Sequence, residues 1–282
     1  MSIDLINPSD FDVVSTKFRE FFKKKGLVEV AAQHRLSILA ACEDPTTIST
    51  FDYCGKVWPL PQTSQMWLEY ELLTKPNTTG YFCFSTSYRQ EANPVMGRHN
   101  LIFPMIEFEI PGDMNDLMNF EKELLEHLGF GNKDSFPEGN YLDLCKKYGV
   151  SELTHEHEAM MLKEYGPVFF LKNFPETTSP FWNMKRTIDK KNQSSTANKI
   201  DVIINGIETI GSAERSCNVD EMKKRFYTIS DGQYSKILFS RFGKERVKQE
   251  LDEFLSHKFI CRSGAGIGVT RVISAMKANK LL

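Results

Sequence analysis

The sequence predicts an α+β fold, and three stretches carry that prediction. Residues 81–110 read as two strands joined by a loop, because apolar and polar side chains alternate on both sides of a small-residue break at 92–100. Residues 199–215 hold Asn205-Gly206 between two β-rich runs, the strongest short-range hairpin signal. Residues 11–25 place Phe11, Val14, Phe18, Phe21 and Phe22 at helical spacing, with Gly26 as a stop.

A chain of 282 residues is long enough to bury a substantial core as one large or two small domains. Its 41% hydrophobic and 26% charged residues are those of an ordinary soluble globular protein. A net charge of −2 gives no global basic footprint for nucleic acid, although a local basic strip would not show in the total. No apolar run approaches the roughly 20 residues that a spanning helix needs. The N-terminus, MSIDLINPSDF, lacks the basic-then-apolar build of a signal peptide, so the expectation is a cytoplasmic protein with no membrane partner. Six scattered cysteines without a CxxC argue against a zinc knuckle and a disulfide framework.

Taken in order, the helix at 11–25 follows a capping residue, Ser9 or Asp10, and LVEVAA after Gly26 reads as a strand. Residues 38–58 look like loop with short strands. In LPQTSQMWLEYELL, Thr63 or Ser64 can cap a helix on which Gln65, Leu68, Glu69 and Leu72 share a face. By itself Glu69 is a helix-surface carboxylate. The hairpin at 81–110 then puts Phe82, Phe84 and Tyr88 on one side and Ser85, Ser87, Arg89 and Glu91 on the other. Its second strand opposes Ile106, Phe108 and Ile110 to Glu107 and Glu109. The charged side is either a solvated sheet face or a ligand surface. Arg98-His99 in the loop and Phe103 beyond it weigh toward a ligand. Two arginines, an imidazole, a carboxylate and an aromatic ring together suit a nucleoside triphosphate.

A helix at 117–128 ends at Gly129, a polar connection covers 132–139, and short helices are predicted at 141–148 and 154–164. His155 and His157 diverge on a helix and do not make a metal pair. Residues 167–185 form a strand and loop, and the low-apolar tract 187–199 is predicted to be a mobile surface loop. The turn at Asn205-Gly206 pairs Ile203 with Glu208 and sets Asp201 on the same face as Glu208. Two carboxylates so placed suit magnesium on triphosphate oxygens, or are an exposed acid pair. A helix at 243–254, the strand FICRSG and a Gly-rich turn follow, leading to a helix with Arg271 in its first turn, a weak phosphate-site signal.

SYRQE, RH, F and EFE resemble motif 2 of the class II aminoacyl-tRNA synthetases in its aspartyl, asparaginyl and lysyl variant. The long helix, glycine and strand at the N-terminus are similar to motif 1, and GAGIGVTR is similar to motif 3. The resemblance implies the catalytic fold of that class, a mostly antiparallel sheet flanked by helices, and covers nearly the whole chain as one domain, 1–282. It implies that Arg89 holds the α-phosphate and the reacting carboxylate, Glu91 the adenine amine, Arg98 and His99 the outer phosphates, and Phe103 one face of adenine. Asp201 and Glu208 correspond to the magnesium ligands, Arg215 to the arginine that reads the amino acid, and Arg271 to the arginine stacked over adenine. SQMWLE resembles the asparaginyl segment SQLYLE, which assigns Gln65 and Glu69 to the amino acid. The chain departs from the family pattern in places: the proline usually found after the motif 1 strand is missing, Leu68 stands where aspartyl enzymes carry a lysine, Ile102 and Thr270 where the family has glutamates, and Gly211-Ser212 where it often has a serine ligand.

The implied chemistry is attack of a substrate carboxylate on the ATP α-phosphorus, giving an acyl-adenylate, with aspartate or asparagine as substrate and a homodimer as the assembly. Aspartyl and asparaginyl enzymes carry an N-terminal anticodon-reading barrel, and this chain starts at motif 1. The leading expectation is therefore a tRNA-independent paralogue that passes the activated carboxylate of aspartate to ammonia. The alternatives are an asparaginyl-tRNA synthetase core and a non-catalytic binding subunit.

Overall fold

The computed structural model describes residues 5–33, 36–39, 45–91, 94, 100–188 and 195–282. The first helix, α1 (Pro8–Lys24), starts earlier than its apolar periodicity suggests. Asn7 caps it, rather than Ser9 or Asp10, accepting from both of their backbone N–H groups (2.9 and 3.2 Å). Pro8 follows at the first helical position, where its missing N–H costs nothing. Only Val28–Glu29 of LVEVAA is a strand, β1. A separate hairpin follows, β2 (Thr50–Tyr53) and β3 (Lys56–Pro59), and then α2 (Gln65–Thr74).

The central hairpin forms as the alternation requires, from β4 (Tyr81–Tyr88) and β5 (Ile102–Pro111). After it come α3 (Met114–Leu128), β6 (Glu138–Asn140), α4 (Tyr141–Tyr148), α5 (His155–Tyr165) and β7 (Val168–Pro175). The predicted mobile loop at 187–199 is strand at both ends, β8 (Arg186–Ile188) and the start of β9 (Ser195–Ile204). Its polar composition misled because edge pairing of β8 with β9 supplies the backbone bonds that apolar burial does not. β10 (Ile207–Glu214) returns through a two-residue turn in which Asn205 and Gly206 both take positive φ. Helices α6 (Val219–Thr228), α7 (Gln233–Phe242) and α8 (Lys244–Leu255), strand β11 (Arg262–Gly268) and α9 (Val269–Ala278) complete the chain.

Among the described residues the main sheet has nine strands, in the order β1-β4-β5-β11-β10-β9-β7-β6 with β8 beside β9. Only the β1–β4 and β6–β7 pairs are parallel. One face is the apolar layer, where Phe22, Phe82, Phe108, Leu124, Val202 and Ile267 join α1, α3 and α9 in one core. On the other face a second core gathers around Trp182, against which Phe226 and Phe254 set their edges. Phe181 and Trp182 are both buried in this core, so they support the site from behind.

α3 carries one group that violates the ordinary rule for buried charge. Glu121 is fully buried, and among the described residues neither carboxylate oxygen has a hydrogen-bond partner. Ser212 beneath it donates instead to the Ile200 carbonyl (3.1 Å). Desolvation pushes this carboxyl up to about 8. The fold therefore binds a proton that the unfolded chain gives up near pH 4.5, and stability falls as pH rises from there to about 8. Glu121→Gln removes that loss: urea unfolding should match wild type near pH 4.5 and favour the variant by about 3 kcal/mol at pH 7. Equal stabilities at pH 7 would contradict the assignment.

Candidate active site

The second face of the sheet is built from polar side chains and glycines in register. β11 lies between β5 and β10, with Gly264 paired to Glu109, Gly266 to Glu107 and also to Gly211. The glycines are not the turn that their spacing suggests: GAGIG is strand, and its missing side chains let neighbouring carboxylates lie over it. A Cβ on Gly264 would come within 1.9 Å of Glu109 Oε2 and 2.4 Å of the Phe108 carbonyl. Gly264→Ala should thus cost roughly 1–3 kcal/mol by overpacking and raise the KM of a substrate held on this face, because the methyl displaces Glu109. An unchanged KM in a folded Gly264→Ala protein would contradict that role.

Glu107 and Glu109 sit on the predicted polar side of the hairpin, but α2 covers them and both are fully buried. Glu107 closes the N-terminus of α2 from the sheet. It accepts from the Thr63 hydroxyl, the Ser64 backbone N–H (2.9 Å) and the Ser85 hydroxyl (2.5 Å). Of the two expected caps, Ser64 stands at the N-cap without a side-chain cap bond, while the Thr63 hydroxyl accepts the Gln65 backbone N–H (3.1 Å).

One turn into α2, Gln65 and Glu69 point at a compact ion network. Arg215 donates to both oxygens of Glu109 (3.2 Å each) and to the Gln65 side-chain carbonyl, and its Nε lies 3.6 Å from Glu69. Gln65 in turn donates to the Ala265 carbonyl (2.6 Å). Arg262 binds Glu69 through Nε (2.9 Å) and Nη2 (2.6 Å), and Asn183 donates to the other Glu69 oxygen (2.7 Å). Two arginines face two glutamates, and all four are at least nine-tenths buried. Burial pushes the Glu109 carboxyl up, to about 7, against the pull of Arg215. Gln65, Glu69 and Arg215 therefore meet as expected. Glu69 is no exposed helix carboxylate, and its oxygens are taken up by Arg262 and Asn183. Arg262, Asn183, Glu107 and Glu109 were not singled out from sequence as site residues. Their signal lay in the polar strand face and in an arginine opening the glycine strand. Leu68 packs with Leu72, Tyr81 and Cys83 in a small apolar cluster.

Further along the same face lies a second group. A Cβ on Gly211 would stand 3.1 Å from Glu208 Oε1 and 3.8 Å from Asp201 Oδ1, so the two predicted carboxylates converge over this glycine. Asp201 also pairs with Lys199 (3.1 Å). Two carboxylates over a residue without a side chain suit a magnesium ion that completes its shell with phosphate oxygens and water. Among the described residues no third His, Cys, Asp or Glu joins them in a metal-holding group. Ser212 turns to the α3 face and is no ligand. Arg271, in the first turn of α9, donates to the Glu208 carbonyl and so stands beside the acid strand.

At the open end of β4, the Arg89 guanidinium lies 5.7 Å from the centre of the Phe103 ring. Arg89 Nε is buried without a hydrogen-bond partner among the described residues, a donor suited to an anionic ligand. Glu91 follows Arg89 and is half-buried. Ile102 is 64% exposed, so the position where the family places glutamate faces outward. Arg98 and His99 lie outside the described residues.

Arg89 at the end of β4, the acid pair over Gly211 and the buried ion network of Glu69, Glu109, Arg215 and Arg262 lie along one face of a mostly antiparallel sheet. The family model for class II tRNA synthetases (D, K and N) matches residues 11–280, and the chain belongs to that family. It is 27% identical over 265 residues to the aspartate–tRNA(Asp) ligase of Pyrobaculum aerophilum, covering 79% of this chain and 58% of that one. Its fold is that of the asparaginyl-tRNA synthetase of Pyrococcus horikoshii complexed with asparaginyl-adenylate. That match has a TM-score of 0.73 at 21% identity and covers 95% of this chain and 64% of the other. The Entamoeba histolytica asparaginyl-tRNA synthetase in complex with asparaginyl-adenylate gives 0.72 at 18% identity, over 97% and 65%. The chain thus spans less than two thirds of the length of each of these relatives.

Proposed function

We propose that this chain is the catalytic core of an aminoacyl-tRNA ligase that activates asparagine with ATP and passes it to RNA. The observation that carries the choice of amino acid is the closed ion network. Arg215 and Arg262 already hold the carboxyl groups of Glu109 and Glu69, so an aspartate side chain would add a further carboxylate to a fully desolvated cluster and compete with Glu109 for Arg215. A neutral amide can donate to a glutamate and accept from Arg215 without adding a charge. With the side chain so held, the α-carboxylate faces Arg89.

Arg89 orients the attacking carboxylate and the α-phosphate and offsets the charge that develops at phosphorus. The carboxylate is already ionised at neutral pH, so no general base is needed. Phe103 offers a ring to the adenine, Glu91 an acceptor for its amine, and Arg271 a cation for the outer phosphates. Magnesium, held by Asp201 and Glu208, would neutralise triphosphate charge.

A reversed aspartate, with its α-ammonium at Glu69 and its α-carboxylate at Arg215, would likewise bring no net charge to that cluster and would expose the β-carboxylate to ATP. That pose underlies the ammonia-accepting expectation. The named relatives are tRNA ligases or synthetases, which supports the RNA-acylating reading over it. Identifying products by mass separates the two. Asparagine with ATP and tRNA should give AMP and an asparaginyl ester of RNA, whereas free asparagine formed from aspartate only with ammonium would overturn the proposal.

A further inference from the structure

The carboxylate pair over Gly211 has a cationic neighbour, Lys199, with no part in the activation of the carboxylate. Lys199 precedes Asp201 by two residues on β9, so both side chains leave the same face of the strand. Its Nζ lies 3.1 Å from Asp201 Oδ2, and only 15% of the lysine side chain and 9% of the aspartate side chain are exposed. A pair this enclosed is screened far less than one at the surface. The other oxygen, Oδ1, is the one that reaches toward Gly211, where a Cβ would stand 3.8 Å from it and 3.1 Å from Glu208 Oε1. One oxygen of Asp201 is held by the lysine, and the other is turned to the acid pair.

An irregular strand keeps this lysine in place. β7 pairs Leu171 with Asp201 and Lys172 with Ile200, and its register then slips, so that Phe174 stands opposite Ala197. The extra residue is Asn173, at φ 61°, a conformation that asparagine adopts more readily than most residues, and its amide donates to Asn140 Oδ1 (2.7 Å). Without the bulge Phe174 would follow Phe170 and Lys172 to the α3 side of the sheet. With it, the ring returns to the face that carries Ala197, Lys199 and Asp201, and its centre lies 4.4 Å from Lys199 Nζ. The ammonium is therefore held by a ring and a carboxylate together.

We infer that Lys199 is a positioning residue for the divalent ion: by holding Oδ2 it leaves Asp201 a single oxygen for the metal, and so favours magnesium over calcium. Magnesium demands near-ideal octahedral geometry at about 2.0–2.1 Å and keeps several waters, which single oxygens from Asp201 and Glu208 suit. Calcium takes about six to eight oxygens at longer distance and gains from carboxylates that bind through both of theirs. A lysine on Oδ2 denies it that mode at Asp201. Groups behind a ligand that fix its orientation tune the metal in this way. The inference rests on the proposed role of Asp201 and Glu208 as magnesium ligands, and its test separates the two.

The probe is manganese bound to the chain without nucleotide, read by electron paramagnetic resonance and displaced with magnesium or calcium. Wild type should yield manganese to magnesium at lower concentration than to calcium. Lys199→Met, close to the lysine in shape, should narrow that preference about tenfold. Losing a positive charge strengthens the binding of both ions together, so the ratio and not either affinity is the readout. An unchanged ratio in Lys199→Met would make the lysine a mere counter-charge and overturn the inference. So would a wild type that prefers calcium or shows no preference, a result that needs no variant to fold. The Asp201→Asn/Glu208→Gln variant should take up no manganese. If it matches wild type, the magnesium reading of the acid pair fails and Lys199 loses its role with it. If it loses manganese while Lys199→Met keeps the wild-type ratio, that reading stands and the inference about Lys199 alone falls.

Discussion

Arg262→Met should unfold at a much lower urea concentration than wild type, by an amount equivalent to about 3–5 kcal/mol. The reason is what the substitution leaves behind. Glu69 is 1% exposed and takes two hydrogen bonds from Arg262, which is itself fully buried. Removing the arginine strands a carboxylate in the interior, where Asn183 and a more distant Arg215 cannot replace the lost charge. The double variant Arg262→Met/Glu69→Leu removes both charges and should recover most of the stability while remaining inactive toward the amino acid. A single variant within about 0.5 kcal/mol of wild type, the usual size of a surface substitution, would show that the pair is not the closed interior bridge described above.

The second large effect is on rate. Arg89→Ala should lower amino-acid-dependent ATP–pyrophosphate exchange by about 10²–10³-fold, the loss typical of one preorganised donor at developing charge. Stability should change little, because Arg89 Nε has no partner among the described residues to lose. Arg89→Lys keeps the charge without the fork and should recover only part of the rate. Full activity in Arg89→Ala would remove Arg89 from the chemistry and leave it a rim residue stacked on Phe103.

Much of this was legible in the sequence where side-chain period and turn chemistry agreed. Asn205-Gly206 fixed the turn and the Ile203–Glu208 pair, but a β-bulge between Glu208 and Ile210, not legible in the sequence, shifts the register by one and sets Gly211 opposite Asp201. The alternation at 81–110 separated the two faces correctly, but period alone does not say what covers a polar face. Glu107 and Glu109 could equally have faced water, and only the docking of α2 makes them interior. The ion network was illegible for the same reason. Glu69, Asn183, Arg215 and Arg262 come from separate elements, and no local spacing links them. Asn7 was missed as a cap because apolar periodicity starts only where the helix first meets the core, after Pro8 has already begun the turn. The short strands expected within residues 38–58 are β2 and β3, although their residues join neither of the two large cores.

The most direct test of the account is asparagine-dependent exchange of pyrophosphate into ATP by the wild-type chain, with no RNA present. The closed network predicts exchange with asparagine, little with aspartate, and no effect of ammonium. Exchange with aspartate alone, or with neither amino acid, would contradict it.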